Sequence, residues 1–332
     1  MVRTPLPWTG LRPLGPGPHD FALARYNPDG SLDSSFGTNG KVVTAFGGGA
    51  DDFALDVEID GNGRIVAAGW TSPPGRDLDY ALARYSPDGN IDPSFGGGTI
   101  VVGSAPGIVD IGADLELQRD GKLVLVGGLD FTVARFNAAG SLDGGFGSGG
   151  FARTEFAGLS AAGVQAWGVG IQRDGKIVVG GSTLGPSEDF ALARFTTRGT
   201  LDASFSGDGQ AVTDVGDASV GDVAYALALD SRGRLLLAGL SGPPGPVAEG
   251  PYDFAVARYV GALPCAVPKL KATTLRTARG RLAKAHCTLG RVKRAYSRKV
   301  KKGRVISQTP RPGTQLPERS KVSVIVSRGH KR

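Results

Sequence analysis

Between residues 20 and 260 two hydrophobic patterns alternate along the chain. One is a seven-residue stretch, "DFALARY" at 20, which returns as "DYALARY" at 79, "DFTVARF" at 130, "DFALARF" at 189 and "DFAVARY" at 253. Read as a strand, it puts Phe21, Leu23 and Arg25 on one face and Ala22, Ala24 and Tyr26 on the other. The other pattern is a continuous apolar run, "RIVAAG", "KLVLVGG", "KIVVGG" and "RLLLAG", which suits strands packed on both faces. Before each run stands a strand-like segment and a tight-turn signal. Asn62-Gly63, Asp120-Gly121 and Asp174-Gly175 tolerate positive φ angles, and Arg232-Gly233 keeps only the glycine. Each pair of segments is therefore predicted to be a hairpin.

Adding the "DFALARY" strand and a short strand such as "KVVTAF" (41–46) gives four strands per unit, and the copies lie 59, 51, 59 and 64 residues apart. Four-stranded sheets repeated radially make a β-propeller. A two-sheet sandwich is the main rival, but it does not account for the repeated register. After four of the five copies come "GSLDSSFG", "GNIDPSFG", "GSLDGGFG" and "GTLDASFS". Together these residues resemble the delta-60 repeat, a bacterial β-propeller repeat close to "DFALARYNPDGSLDTSFG" followed by "AVQPDGKIVVAG". The resemblance implies an all-β propeller of about four to five four-stranded blades over residues 20–260. It also implies a large exported or surface protein, with no activity assigned.

About 17 strands are predicted, because the chain opens in mid-repeat and ends on three strands. A four-blade ring whose ends pair, a five-blade ring with an incomplete blade and a piece of a longer protein all fit that number. Residues 1–19 read as an irregular segment with a truncated start, which would also explain why no signal peptide is visible.

Composition sharpens this picture. The 53 glycines favour many tight turns, and no apolar run is long enough for a membrane-spanning helix. With three histidines and two cysteines, most metal and His-based catalytic schemes fall away. The net charge of +7 conceals a division: residues 1–260 carry −12 and residues 261–332 carry +19.

The conspicuous chemistry of the repeat is an arginine on an apolar strand face. A buried guanidinium needs a partner, and the pairs Arg25 with Asp33, Arg84 with Asp92, Arg135 with Asp143 and Arg194 with Asp202 recur at one spacing. They are predicted to be bidentate structural clamps; Arg258 has no later Asp in its copy. None has a His, Cys or paired acid beside it in sequence, so no catalytic residue is assigned. "NPDGSLD" places Asn27, Asp29, Ser31 and Asp33 at alternate positions, as in calcium loops. The third and fourth copies put Ala139 and Arg198 where Asp29 stands, which describes a turn with a structural Asp rather than a metal site. No metal and no cofactor is expected.

From Cys265 the texture changes. Leu275, Ala278, Leu282 and Ala285 form one stripe of a helix that begins after Thr274, a suitable N-cap, and strands follow near Val292, Val305 and Val322 to Val326. The order Val267-Pro268, Leu275, Ala278, Leu282, Gly290, Val292, Gly303-x-Val305, Gln308-x-Pro310, Gly313, Val322 and "VSRG" at 326–329 resembles a PASTA domain. That module is appended to penicillin-binding proteins and bacterial Ser/Thr kinases. Ala272 and Arg319 stand where the family usually has Gly, so two turns are expected to differ. The resemblance implies a small α+β fold, recognition of uncrosslinked peptidoglycan or β-lactams, and a disulfide between Cys265 and Cys287. Such a bond would contribute roughly 3 kcal/mol and imply an oxidising compartment; two free buried cysteines are the alternative.

Arg291, Lys293, Arg294, Arg298, Lys299, Lys301, Lys302 and Arg304 are expected to concentrate charge on one hairpin and to attract wall polymers, anionic headgroups or nucleic acid. Nucleic acid ranks lower, since only Tyr296 offers a stacking ring and no nucleic-acid motif is present. The sequence thus predicts a non-enzymatic, extracellular or wall-associated protein. The C-terminal module holds peptidoglycan or anionic polymer, and the propeller presents loops to a partner it does not identify. An enzyme acting on carbohydrate through the propeller's central channel is the second expectation.

Overall fold

A computed structural model of the chain describes residues 18–47, 49–128, 131–156, 163–184, 188–216, 221–242, 252–259, 265–285, 287–316 and 320–330. The repeat region begins with β1 (Phe21–Ala24) and β2 (Lys41–Thr44), a two-stranded antiparallel sheet. Three four-stranded antiparallel sheets follow. The first is β3 (Asp51–Ile59), β4 (Ile65–Ser72), β5 (Asp79–Tyr85) and β6 (Thr99–Val102). The second is β7 (Asp114–Leu117), β8 (Leu123–Val126), β9 (Val133–Phe136) and β10 (Phe151–Ala152), and the third is β11 (Val164–Ile171), β12 (Ile177–Thr183), β13 (Phe190–Phe195) and β14 (Gln210–Thr213). A three-stranded sheet, β15 (Gly221–Leu229), β16 (Leu235–Gly242) and β17 (Asp253–Tyr259), completes the region. These are propeller blades in the order the repeat predicts.

The hairpin turns form as their residues dictate: Gly63, Gly121, Gly175 and Gly233 have φ of 76°, 82°, 82° and 76°. The glycine that closes each apolar run has a separate cause. A bulge interrupts the first strand at Ala54/Asp56, Ala166/Gly168 and Ala224/Ala226 and turns a carbonyl toward the second strand. A Cβ on Gly69, Gly181 or Gly239 would overlap the carbonyl oxygen of Phe53, Gln165 or Val223. The strand predicted over 41–46 ends at Thr44, because the Phe46 amide leaves the ladder to donate to the Asp52 carboxylate.

Successive sheets pack through their first strands, β3 on β7, β7 on β11 and β11 on β15. The apolar core lies between sheets: Val66, Ala68, Tyr80 and Leu82 meet Leu115, Leu123, Leu125 and Phe136, and Val124, Val126 and Val133 meet Val169, Ile177 and Val179. That two-sided burial is why the second strands carry no polar face. Leu115 and Val169 are 1% and 2% exposed, whereas Val57, at the same place in β3, is 52% exposed, because the sheet ahead of it has two strands rather than four.

The C-terminal unit is a small α+β fold. Strand β18 (Cys265–Ala266) pairs antiparallel with β21 (Gln315–Leu316), helix α1 spans Leu275–Lys284, and β19 (Thr288–Ala295), β22 (Lys321–Ser327) and β20 (Val305–Thr309) form a sheet in that order. The helix starts as predicted, with the Thr274 side chain accepting the Thr277 amide. Ala278 and Leu282 are buried, against a core that includes Leu270, Val305, Val322 and Val324. A disulfide joins Cys265 to Cys287 beside that core.

One expectation is corrected here. Residues 291–304 are not a hairpin: β22 lies between β19 and β20, parallel to β19 and antiparallel to β20. The second corrected point concerns Ala272, which keeps the left-handed turn that a glycine would make, at φ 64°. Its amide donates to the Val305 carbonyl and its carbonyl accepts from Arg304 Nη1, so the turn is held and the side chain carries the strain. Arg319 lies outside the described residues. Ala272→Gly is expected to stabilise the C-terminal unit by about 1 kcal/mol. Slower native-state hydrogen exchange of the β20 and β22 amides in the full chain would check this; unchanged or faster exchange would contradict it.

Candidate functional site

The four arginines and aspartates meet in one repeated geometry. Nε of Arg25, Arg84, Arg135 and Arg194 donates to Oδ2 of Asp33, Asp92, Asp143 and Asp202 at 2.8, 2.8, 2.9 and 2.8 Å. The pairs are not bidentate forks, because the second carboxylate oxygen is taken. Oδ1 accepts the amide two residues on, from Ser35, Ser94, Gly145 or Ser204, and the three serines add their hydroxyls. Nη1 reaches instead into the next repeat, to the carbonyls of Pro87, Ala138 and Thr197 from Arg25, Arg84 and Arg135. Each guanidinium also lies over a phenylalanine ring, at 4.7, 4.5, 4.2 and 4.8 Å for Phe36, Phe95, Phe146 and Phe205.

All three guanidinium nitrogens of each arginine contact protein groups, so the arrangement ties a strand to its own loop and, through Arg25, Arg84 and Arg135, to the next repeat. Arg84, Arg135 and Arg194 are buried, whereas Arg258, in the copy without an Asp, is exposed. The "NPDG" turn is likewise self-satisfied: Asp29 Oδ1 accepts the Ser31 amide and hydroxyl, and Asn27 Nδ2 donates to Ser31 Oγ.

A group of acids that the sequence reading missed lies on the first strands. Asp56 Oδ2 accepts the Leu115 amide at 2.8 Å and Asp114 Oδ2 accepts the Val169 amide at 2.7 Å, each from the next sheet. Burial, reinforced by Asp56 and Glu116, pushes Asp114 up to about 7. Burial also raises Glu58 and Glu116, with the neighbouring acids adding to the effect. Their signal was the alternation "LDVEI" and "ADLEL", where the third sheet has Gly168 and Gly170.

In the C-terminal unit all eight predicted basic residues are exposed; Arg294 stands on β19 outside the cleft described next, and the other seven fall into two sets. Arg291 and Lys293 stand on β19 and line a cleft of about 340 Å³ with Ser307, Gln308, Thr309 and Ser323. Helix α1 packs on β19, with Leu289 and Val292 turned to the core on that side, so the cleft occupies the other side of the sheet. Arg298, Lys299, Lys301, Lys302 and Arg304 belong to the connection to β20, and Arg304 is tied to Ala272.

Comparison with known proteins agrees with both units. Residues 266–328 match the PASTA domain, and residues 17–36, 61–95, 118–146 and 172–205 match the beta-propeller described as DUF5122, a domain of unknown function. No curated protein matches the chain. Among solved structures, the entire extracellular region of the Ser/Thr kinase PrkC from Staphylococcus aureus is 27% identical over 19% of this chain and 22% of its own length, with a TM-score of 0.18. A GH43 endo-arabinanase from Bacillus licheniformis is 16% identical over 61% of this chain and 71% of its own, with a TM-score of 0.37. A gluconolactonase from Xanthomonas campestris is 14% identical over 70% and 65%, with a TM-score of 0.32.

The clamps set an expected pH response. Asp143 and Asp202 are held at about 2, Asp143 chiefly by the Lys122 ammonium and Asp202 by Lys176, Ser204 and Arg194 against the effect of burial. A carboxylate with a lowered folded value stabilises the fold above its unfolded value and loses that contribution as pH falls through the folded one. Denaturant unfolding of the repeat unit should therefore show stability falling from about pH 4 to about pH 2. Arg194→Ala should cost about 1.5–3 kcal/mol at pH 7, since Asp202 loses a charged hydrogen-bond partner but keeps Lys176 at 2.7 Å, and should reduce that acid dependence without abolishing it. A loss below about 1 kcal/mol would show that the clamp is not structural.

Proposed function

The chain carries a DUF5122 β-propeller region followed by a PASTA domain, a pairing that fits an envelope-associated protein, and from it we propose a non-enzymatic exported protein whose C-terminal unit holds the bacterial wall. The observation that carries this reading is the cleft on the β19–β22–β20 sheet. Two exposed cations, Arg291 and Lys293, and the hydroxyl-bearing residues Ser307, Thr309 and Ser323 line one concave surface. Such a lining suits a ligand that combines carboxylates with amides and hydroxyls, as uncrosslinked peptidoglycan stems and their sugars do. The connection bearing Arg298, Lys299, Lys301 and Lys302 adds diffuse attraction for anionic wall polymers. The propeller is the presenting scaffold, its repeated arginines being consumed in holding it. The disulfide agrees with an oxidising, extracellular setting.

A second reading, an enzyme acting on carbohydrate at the first strands, draws on Asp56, Glu58, Asp114 and Glu116. It ranks lower because Asp56 and Asp114 already accept backbone amides of the neighbouring sheet. Nucleic acid ranks below both.

Sedimentation of the full chain with purified peptidoglycan, with wall stripped of anionic polymers and with DNA, each at low and high salt, tests the proposal. Salt-resistant binding to stripped peptidoglycan is expected, reduced at least tenfold in Arg291→Glu/Lys293→Glu. Replacing Arg298, Lys299, Lys301 and Lys302 by Gln should instead weaken only the salt-sensitive binding to polymer-bearing wall. Binding to DNA alone, or to nothing, would overturn the reading. Release of soluble sugar during incubation would favour the enzyme.

A further inference from the structure

At the junction of the third sheet and β15, the carboxylates of Asp189, Asp214 and Asp222 converge, with one oxygen of each within 4.8 Å of the others. Asp189 precedes β13, Asp214 follows β14 and Asp222 lies in β15. Glu188 stands alongside, its Oε2 3.6 Å from where a Cβ on Gly221 would fall. Among the described residues no lysine, arginine or histidine forms an ion pair with any of the four.

The equivalent junctions show what is unusual here. Asp52 and Asp110 occupy the position of Asp222, and both oxygens of each are satisfied. Asp52 takes the Phe46 amide and the Thr71 hydroxyl, and Asp110 takes the Ser104 amide and hydroxyl. Asp222 is fully buried and its Oδ2 accepts the Val215 and Gly216 amides at 2.6 and 3.1 Å, but its Oδ1 has no hydrogen-bond partner. Ser241 stands opposite it in the ladder, as Thr71 stands opposite Asp52, yet no hydrogen bond links its hydroxyl to Asp222. The third acid is also particular to this junction: the residue after the fourth strand is Ala45, Gly103 and Arg153 in the other sheets and Asp214 here.

We propose that Asp189, Asp214 and Asp222 bind one calcium ion that joins the third sheet to β15. Calcium takes six to eight oxygen ligands at about 2.3–2.6 Å, so two oxygens on one ion lie at most roughly 5 Å apart, the spread found here. A magnesium ion, with bonds of about 2.0–2.1 Å, would demand a tighter cluster. The unpartnered Oδ1 of Asp222 supplies the buried ligand, and water completes the shell on the side where Asp214 is exposed.

Calorimetric titration of Ca²⁺ into EDTA-treated full chain, paired with thermal melts, tests the site. One ion per chain and a higher melting temperature with Ca²⁺ are expected. Asp214→Asn and Asp189→Asn should each weaken binding at least tenfold. Because the Asp214 side chain makes no hydrogen bond among the described residues, Asp214→Asn should melt at or above wild type in EDTA and below it in Ca²⁺. Asp29→Asn, in the self-satisfied turn, should titrate as wild type. Absence of binding, or equal binding by wild type, Asp214→Asn and Asp189→Asn, would overturn the proposal.

Discussion

A guanidinium cannot be left alone inside a sheet, and the repeat region is organised around that constraint. Each of Arg84, Arg135 and Arg194 is buried, and the charge is met by an Asp eight residues later, a phenylalanine face and a polar group beyond the strand. For Arg84 and Arg135 that group is a carbonyl of the following repeat. One side chain thus closes its own loop and fastens the next blade. The residue that reads most like chemistry is the one least free to perform any.

Much of the architecture was readable because its causes are local. Positive-φ turns need Gly63, Gly121 and Gly175, two-sided burial needs the apolar runs, and Thr274 starts α1 wherever the rest of the chain lies. What was missed depends on residues far apart. That β22 enters between β19 and β20 follows from a parallel pairing whose partners are some 30 residues distant, and no local pattern distinguishes it from a hairpin. The commitment of Asp56 and Asp114 to amides of the neighbouring sheet, and the convergence of Asp189 with Asp214 and Asp222, likewise appear only when blades are set side by side. The bidentate geometry failed for a smaller reason: Ser35, Ser94 and Ser204 compete for the second oxygen.

The two units differ sharply in charge, −12 over residues 1–260 and +19 over residues 261–332. In the repeat unit Asp33, Asp92, Asp143 and Asp202 are spent on arginines and Asp56 and Asp114 on amides, whereas the eight predicted C-terminal bases are exposed and, among the described residues, Arg304 is tied to Ala272. Arginines satisfied internally suit a scaffold, and charges that face solvent suit recognition. In the proposed wall-binding role, the cleft beside Arg291 and Lys293 would supply a shape that diffuse charge alone lacks.

The claim on which this account rests is that the repeated arginine binds blade to blade and serves no ligand. Hydrogen exchange on Arg135→Lys in the full chain tests it directly, because lysine keeps the charge but cannot reach Asp143 and the Thr197 carbonyl together. The account predicts faster exchange both in the Asp143 loop and in the turn around Thr197, across two adjacent blades. Unchanged protection on the Thr197 side would contradict it.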